Sequence, residues 1–183
     1  MRITEERSLL VVVDVQERLL PVMTEPEHLT ERIVRLIKGI GMLGLPMIMT
    51  EQYPRGLGHT VEPVVEAYGG AGGERIVEKM AFSCCDESSF MEAIDGEGRK
   101  NIILAGIESH VCMLQTTMDL LARGFQPVIP ADTTSSRFQQ DRDVALRRIE
   151  REGGIVTTSE SLLFELTRVT GTPRFKEISR LVK

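Results

Sequence analysis

Unbroken apolar runs alternate along this chain with segments whose apolar positions recur every three or four residues, and most of the runs stop at a polar or charged side chain. Ser8 to Val13 (SLLVVV) ends at Asp14; its length and β-branched content are those of a strand buried on both faces. Leu29, Ile33, Leu36, Ile37 and Ile40 then mark one face of a helix finishing near Gly44, behind a Thr24-Glu25-Pro26-Glu27 stretch that resembles a capping box. Pro46 to Thr50 reads as a second strand, Glu51 to His59 as a polar loop at its end, and Thr60 to Tyr68 as a short helix. Glu74 to Val77 is a third strand that leads into Glu78 and Lys79.

The second half repeats the alternation. After a short helix from Asp86 to Ile94, Ile102 to Ala105 form a fourth strand with Gly106 closing it. Val111, Leu114, Met118 and Leu121 recur at helical spacing, with Ser109 as the expected N-cap and Gly124 where a helix of this length would end. Capped there, Cys112 is the third helical residue, among amide N–H groups that have no partner within the helix and carry the positive end of the dipole. A thiolate is stabilised in such a place. Gln126 to Pro130 gives a fifth strand with Asp132 just past it, Gln139 to Glu152 a helix closed by Gly153, and Gly154 to Thr158 a sixth strand. Ser161 to Val169 and Pro173 to Val182 read as terminal helices.

Strands alternating with helices at this spacing predict an α/β fold of three layers, α/β/α, around a six-stranded, mostly parallel Rossmann-like sheet. Its expected order is 3-2-1-4-5-6, in one domain over residues 1–183. Strands 1 and 4 are then neighbours at the switch point, where open α/β sheets bind ligands at the strand ends. Asp14 ends strand 1 and Cys112 follows strand 4, so the topology brings a carboxylate and a thiol to one crevice. An ordinary cysteine is only about 3% thiolate at neutral pH, and lowering its pKa by about 1.5 requires about 2 kcal/mol. A helix end supplies about half of that, so a cation or base from elsewhere in the chain is required.

Composition narrows the classes. Hydrophobic residues at 42% and charged residues at 27% describe a globule, and no apolar run approaches membrane-spanning length. The N-terminus lacks the basic, apolar and small-residue succession of a secretory signal, so a cytoplasmic location is expected. A net charge of −5 argues against a nucleic-acid partner. Cys84, Cys85 and Cys112 are an odd number and His28, His59 and His110 are scattered, so neither a disulfide framework nor a zinc spacing is present. No metal and no cofactor are expected, and no G-x-G-x-x-G follows the first strand.

Asp14, Lys79 and Cys112 together resemble the Asp-Lys-Cys triad of the isochorismatase-like cysteine hydrolases, a group that includes nicotinamidases and N-carbamoylsarcosine amidohydrolase. V-V-V-D-V-Q, E-K-M-A-F-S, A-G-I-E-S-H-V-C and A-D-T-T-S-S-R are similar to family segments and stand in the family's order across nearly the whole chain. T-E-Q-Y-P-R-G-L-G and the tail S-E-S-L-L-F-E-L with P-R-F-K-E-I are most similar to the isochorismatase-domain-containing branch. Two departures bear on chemistry. Where nicotinamidases carry an Asp-x-His metal motif, this chain has Glu51-Gln52-Tyr53 with only His59 nearby, so the resemblance implies no metal site and nicotinamide is a less secure substrate. Isochorismatase itself lacks the cysteine, so a thiol at position 112 favours acyl transfer over vinyl-ether cleavage.

The resemblance implies a catalytic Asp14, Lys79 and Cys112 acting on a small molecule, with the Ile107–Glu108 peptide cis and the Glu108 and Cys112 backbone N–H groups as the oxyanion hole. It also implies a homo-oligomer. Gln16, Tyr53, Phe82 and His110 are candidate pocket residues, although packing accounts for the first three equally well. Asp132 suits a helix cap better than direct catalysis, and Cys84 and Cys85 read as structural. Two rival classes are a non-catalytic ligand-binding or oligomeric scaffold and a redox-sensing thiol protein.

Overall fold

A computed structural model describes residues 2–183. Its strands, β1 (Ser8–Val13), β2 (Met47–Gln52), β3 (Arg75–Lys79), β4 (Asn101–Ile107), β5 (Gln126–Pro130), β6 (Thr134–Ser135) and β7 (Ile155–Thr157), lie in one wholly parallel sheet. The order is β3-β2-β1-β4-β5-β7, with the two-residue β6 pairing on β4. This is the expected topology with one strand added. The extra strand is too short and too polar to register as an apolar run, and pairing with the end of β4 alone defines it.

Helices α1 (Pro26–Met42), α2 (Pro54–Leu57), α3 (Glu62–Gly70), α4 (Ser88–Glu97), α5 (Leu114–Ala122), α6 (Gln139–Arg151), α7 (Ser159–Thr167) and α8 (Pro173–Leu181) complete the fold. Because successive strand residues point to opposite faces, Leu10, Val12, Ile103 and Ala105 pack against α1, α3, α7 and α8, whereas Leu9, Val11, Val13, Ile102 and Leu104 pack against α4, α5 and α6. Each fully buried Leu or Ile contributes about 2 kcal/mol over leaving it in water. Both faces of β1 and β4 are thus sealed, and their polar ends are the only part of them left for chemistry.

Two local expectations are corrected. Thr24 does not form a capping box: Glu25, in the left-handed region, is the N-cap of α1 with no side-chain cap bond, and the Thr24 hydroxyl turns to the Arg137 carbonyl at 3.4 Å. Gly106 does not close β4 but lies within it, at φ +133° opposite Val13, where an added Cβ would fall 2.0 Å from the Val13 carbonyl oxygen. The chain therefore draws β1 and β4 together just before Asp14. Asp132 accepts from both the amide and the hydroxyl of Ser159, the first residue of α7, whose N-cap is Thr158.

Candidate active site

Three adjacent strands end at one place. Asp14 follows β1 in the left-handed region (φ 53°), with its amide donating to the Thr50 carbonyl at 3.2 Å and Thr50 Oγ1 donating to its Oδ1 at 2.7 Å. Lys79 is the last residue of β3, and its Nζ lies 2.7 Å from Asp14 Oδ2 with both side chains excluded from solvent. Gln52, at the end of β2 and paired in register with Lys79, accepts from Lys79 Nζ at 2.6 Å. The carbonyls of Ala81 and Phe82 accept from the same nitrogen at 3.1 Å each. Cys112 Sγ stands 3.6 Å from Lys79 Nζ and 3.9 Å from Gln52 Oε1. Taking a carboxylate and an ammonium out of water costs several kcal/mol each unless they are paired and hydrogen-bonded; here each compensates the other.

Sequence reading brings Asp14, Lys79 and Cys112 together, and so does the structure, but the thiol's setting is different. Ser109 does not cap a helix: its hydroxyl contacts Thr134 Oγ1 at 2.8 Å and donates to the Ser135 carbonyl at 2.9 Å, fastening β6. Cys112 lies in a π-helical turn, Ser109–Met113, that precedes α5. With only 6% of its surface exposed, burial pushes the Cys112 thiol up to about 12, the Asp14 charge adds to the rise, and Lys79 opposes it. The expected low-pKa thiolate is thus replaced by a protonated thiol at rest. For Lys79, burial alone would lower the pKa; the charge and hydrogen bond of Asp14 oppose it, and the ammonium is held above its ordinary value.

The Ile107–Glu108 peptide is cis. Val111 and Met113 amides donate to the Glu108 carbonyl at 3.1 and 3.2 Å, while the Glu108 amide meets no acceptor among the described residues. The Glu108 carboxylate is tied to Arg137 Nε at 3.1 Å. His110, on the same turn, contacts Ser136 Oγ through Nδ1 at 2.9 Å. Of the other candidate pocket residues, Tyr53 and Phe82 are exposed, at 46% and 55%. Gln16 is fully buried: both amide protons go to the Gln52 and Gly58 carbonyls and its Oε1 accepts the Gln52 amide, so it pins the chain beneath the site instead of facing an opening. Sequence reasoning missed Thr50 and Gln52 as site residues because the apolar run ends before Glu51. The available signal was T-E-Q at the end of the strand beside the one that delivers Asp14.

Glu51 makes a second polar cluster on the opposite side of β2. Its Oε1 accepts from the Thr60 amide and hydroxyl at 2.7 and 2.9 Å, and its Oε2 meets His59 Nδ1 at 3.0 Å. Burial would raise the Glu51 pKa, but these donors outweigh it and hold it below the ordinary value, while the bond and charge of Glu51 raise that of His59. The signs follow from linkage. The Glu51 contribution to stability is present above the ordinary carboxylate range and lost as pH falls through its lowered value; the His59 contribution is present below the ordinary imidazole range and lost as pH rises through its raised value. NMR titration should place the His59 midpoint above that of a free histidine, and Glu51→Gln should return it to the ordinary value; an unchanged midpoint in the variant would mean the pair carries no charge interaction.

Residues 8–161 match the family model described as the isochorismatase domain. Over 183 residues the chain is 39% identical to isochorismatase domain-containing protein 2A of Mus musculus, covering 100% of this chain and 85% of that protein. It is 41% identical over 170 residues to isochorismatase domain-containing protein 1 of Salmo salar, covering 93% of this chain and 59% of that protein. Among solved structures, that of MAR1 ribonuclease from Caenorhabditis elegans superimposes with a TM-score of 0.92 at 38% identity, covering 100% of this chain and 92% of that one.

Proposed function

The chain belongs to the isochorismatase family and has the fold of its hydrolases, and on that footing we propose that it is a cysteine-dependent hydrolase cleaving an amide-like C–N bond of a small molecule through a thioester acyl-enzyme. The observation that carries the reading is the water-excluded contact of three groups: Lys79 Nζ 2.7 Å from Asp14 Oδ2 and 3.6 Å from Cys112 Sγ. Burial and the Asp14 charge hold the Cys112 thiol well above its ordinary pKa, so the sulfur is protonated at neutral pH. Deprotonation is therefore coupled to attack. Asp14 takes the proton from Cys112 as sulfur adds to the carbonyl carbon, and the carbonyl oxygen gains charge opposite the Glu108 and Cys112 amides. Asp14 then gives that proton to the departing nitrogen, the C–N bond breaks, and a thioester remains. Water deprotonated by the same carboxylate adds to the thioester and releases acid and thiol. Lys79 stays cationic throughout and holds the carboxylate and sulfur in one geometry.

Val22, Tyr53, Met80, Phe82 and Phe138 are exposed apolar side chains. Backbone contacts tie three of them to the site: the Tyr53 amide donates to the Lys79 carbonyl, the Met80 carbonyl accepts from Gln52 Nε2, and the Phe82 carbonyl accepts from Lys79 Nζ. Exposed apolar side chains of this kind suit burial against a second copy of the chain, and self-association belongs to the proposal, with sedimentation at a monomer's mass as the result against it. The ribonuclease named among the relatives gives a second reading. A net charge of −5 is poorly suited to a phosphodiester backbone. Incubation with a panel of small carboxamides, carbamoyl compounds, esters and RNA, followed by mass spectrometry of the intact protein, separates the readings. The hydrolase accumulates an acyl adduct on Cys112 with a carbonyl substrate. RNA cleavage without such an adduct would replace this reading.

A further inference from the structure

Lys79 Nζ has three protons and five acceptors around it. The two short contacts, to Gln52 Oε1 at 2.6 Å and Asp14 Oδ2 at 2.7 Å, take two of them, and the Ala81 and Phe82 carbonyls at 3.1 Å compete for the third. Cys112 Sγ, at 3.6 Å, is the worst served of the five. A thiolate there would need one of those protons turned toward it. Asp14 holds its proton by charge and the two carbonyls are fixed in the backbone, which leaves the neutral Gln52 side chain as the group that decides how many donors reach sulfur.

The carboxamide is locked in one orientation. Its Nε2 donates to the Met80 carbonyl at 2.7 Å, so Oε1 faces the ammonium, and the Gln52 backbone amide is itself held by Gln16 Oε1 at 2.7 Å. The same Oε1 lies within reach of the Cys112 S–H, at 3.9 Å. Both contacts have the same sign: one occupies a proton the thiolate would need, and the other accepts the proton that only the neutral thiol carries. We propose that Gln52 is a positioning residue that keeps Cys112 protonated at rest, by drawing a Lys79 N–H away from sulfur and offering its own oxygen to the S–H. The ionisable groups facing Cys112 from the surrounding elements are Asp14 after β1, Lys79 on β3 and Cys84 in the turn Cys84–Asp86; His110, on the thiol's own turn, faces Ser136 instead.

The inference rests on Cys112 being the reacting thiol, and its test reads that sulfur directly, whether or not a substrate is turned over. Wild-type protein, Gln52→Met and Gln52→Glu are labelled with iodoacetamide across neutral to alkaline pH, with Cys112 followed by peptide mass spectrometry. Methionine removes the acceptor and frees a Lys79 proton, so the pH of half-maximal labelling should fall by about one unit, giving about tenfold faster labelling at a fixed pH below it. Glutamate puts a second negative charge beside sulfur, so labelling should slow by about the same factor. Loosened packing would speed labelling in both variants alike. Opposite movement supports the proposal; movement in one direction, or profiles that coincide with wild type, overturns it. Should the methionine variant not fold, Gln52→Asn takes its place, because the shorter amide withdraws its oxygen from Nζ and should also speed labelling; an asparagine profile at the wild-type position overturns the proposal equally.

Discussion

Replacing Cys112 by alanine should reduce hydrolysis of whichever carboxamide or carbamoyl compound proves to be a substrate by on the order of a thousandfold or more, leaving what the oxyanion donors and binding supply. The fold should survive, since the sulfur is a small part of a core that continues through Met113 and Leu120 on the same face, and truncations of this size cost about 1 kcal/mol. Circular dichroism and thermal melting check the fold, and steady-state rates check the chemistry. Turnover at the wild-type rate in a folded Cys112→Ala protein would transfer the reaction to another group. The scaffold and thiol-sensor readings expect no substrate turnover in the wild type, so the wild-type rate separates them from the hydrolase before any variant is made.

The second large effect is on stability. Lys79→Met should destabilise the protein by about 3 to 5 kcal/mol, because it strands the Asp14 carboxylate, fully buried and touching the ammonium at 2.7 Å, without a counter-charge. Asp14→Asn together with Lys79→Met should recover much of that loss, since removing both partners avoids the unpaired charge. Urea unfolding of the single and double variants measures both quantities. A double variant no more stable than Lys79→Met alone would mean that Lys79 stabilises chiefly through Gln52 and the Ala81 and Phe82 carbonyls.

The parts of this molecule that could be read from residues are those fixed by local pattern. SLLVVV and NIILA are buried on both faces, so their apolar character is uninterrupted, and the faces of α1 and α5 repeat at helical spacing. Once strands and helices alternate, the right-handed crossover rule leaves few sheet orders, and Asp14, Lys79 and Cys112 fall at one end of the sheet. What could not be read is set by partners far away in sequence. Ser109 has the side chain of a cap but spends it on Thr134 and Ser135, and the turn it begins becomes π-helical; Gln52 looks like a loop residue until its neighbour in β3 is known to be Lys79. The thiol's raised pKa is also of this kind, because it depends on how much water the folded chain excludes.

The contact of Gly106 with the Val13 carbonyl has a bearing on how this protein can change over generations. The approach of β4 to β1 just before Asp14 is set by main-chain atoms, which amino-acid replacement scarcely alters, and Tyr53, Met80 and Phe82 serve the site through backbone atoms while their side chains stay exposed. Descendants of one ancestor can therefore exchange those outward side chains and inherit the arrangement of Asp14, Lys79 and Cys112 unaltered.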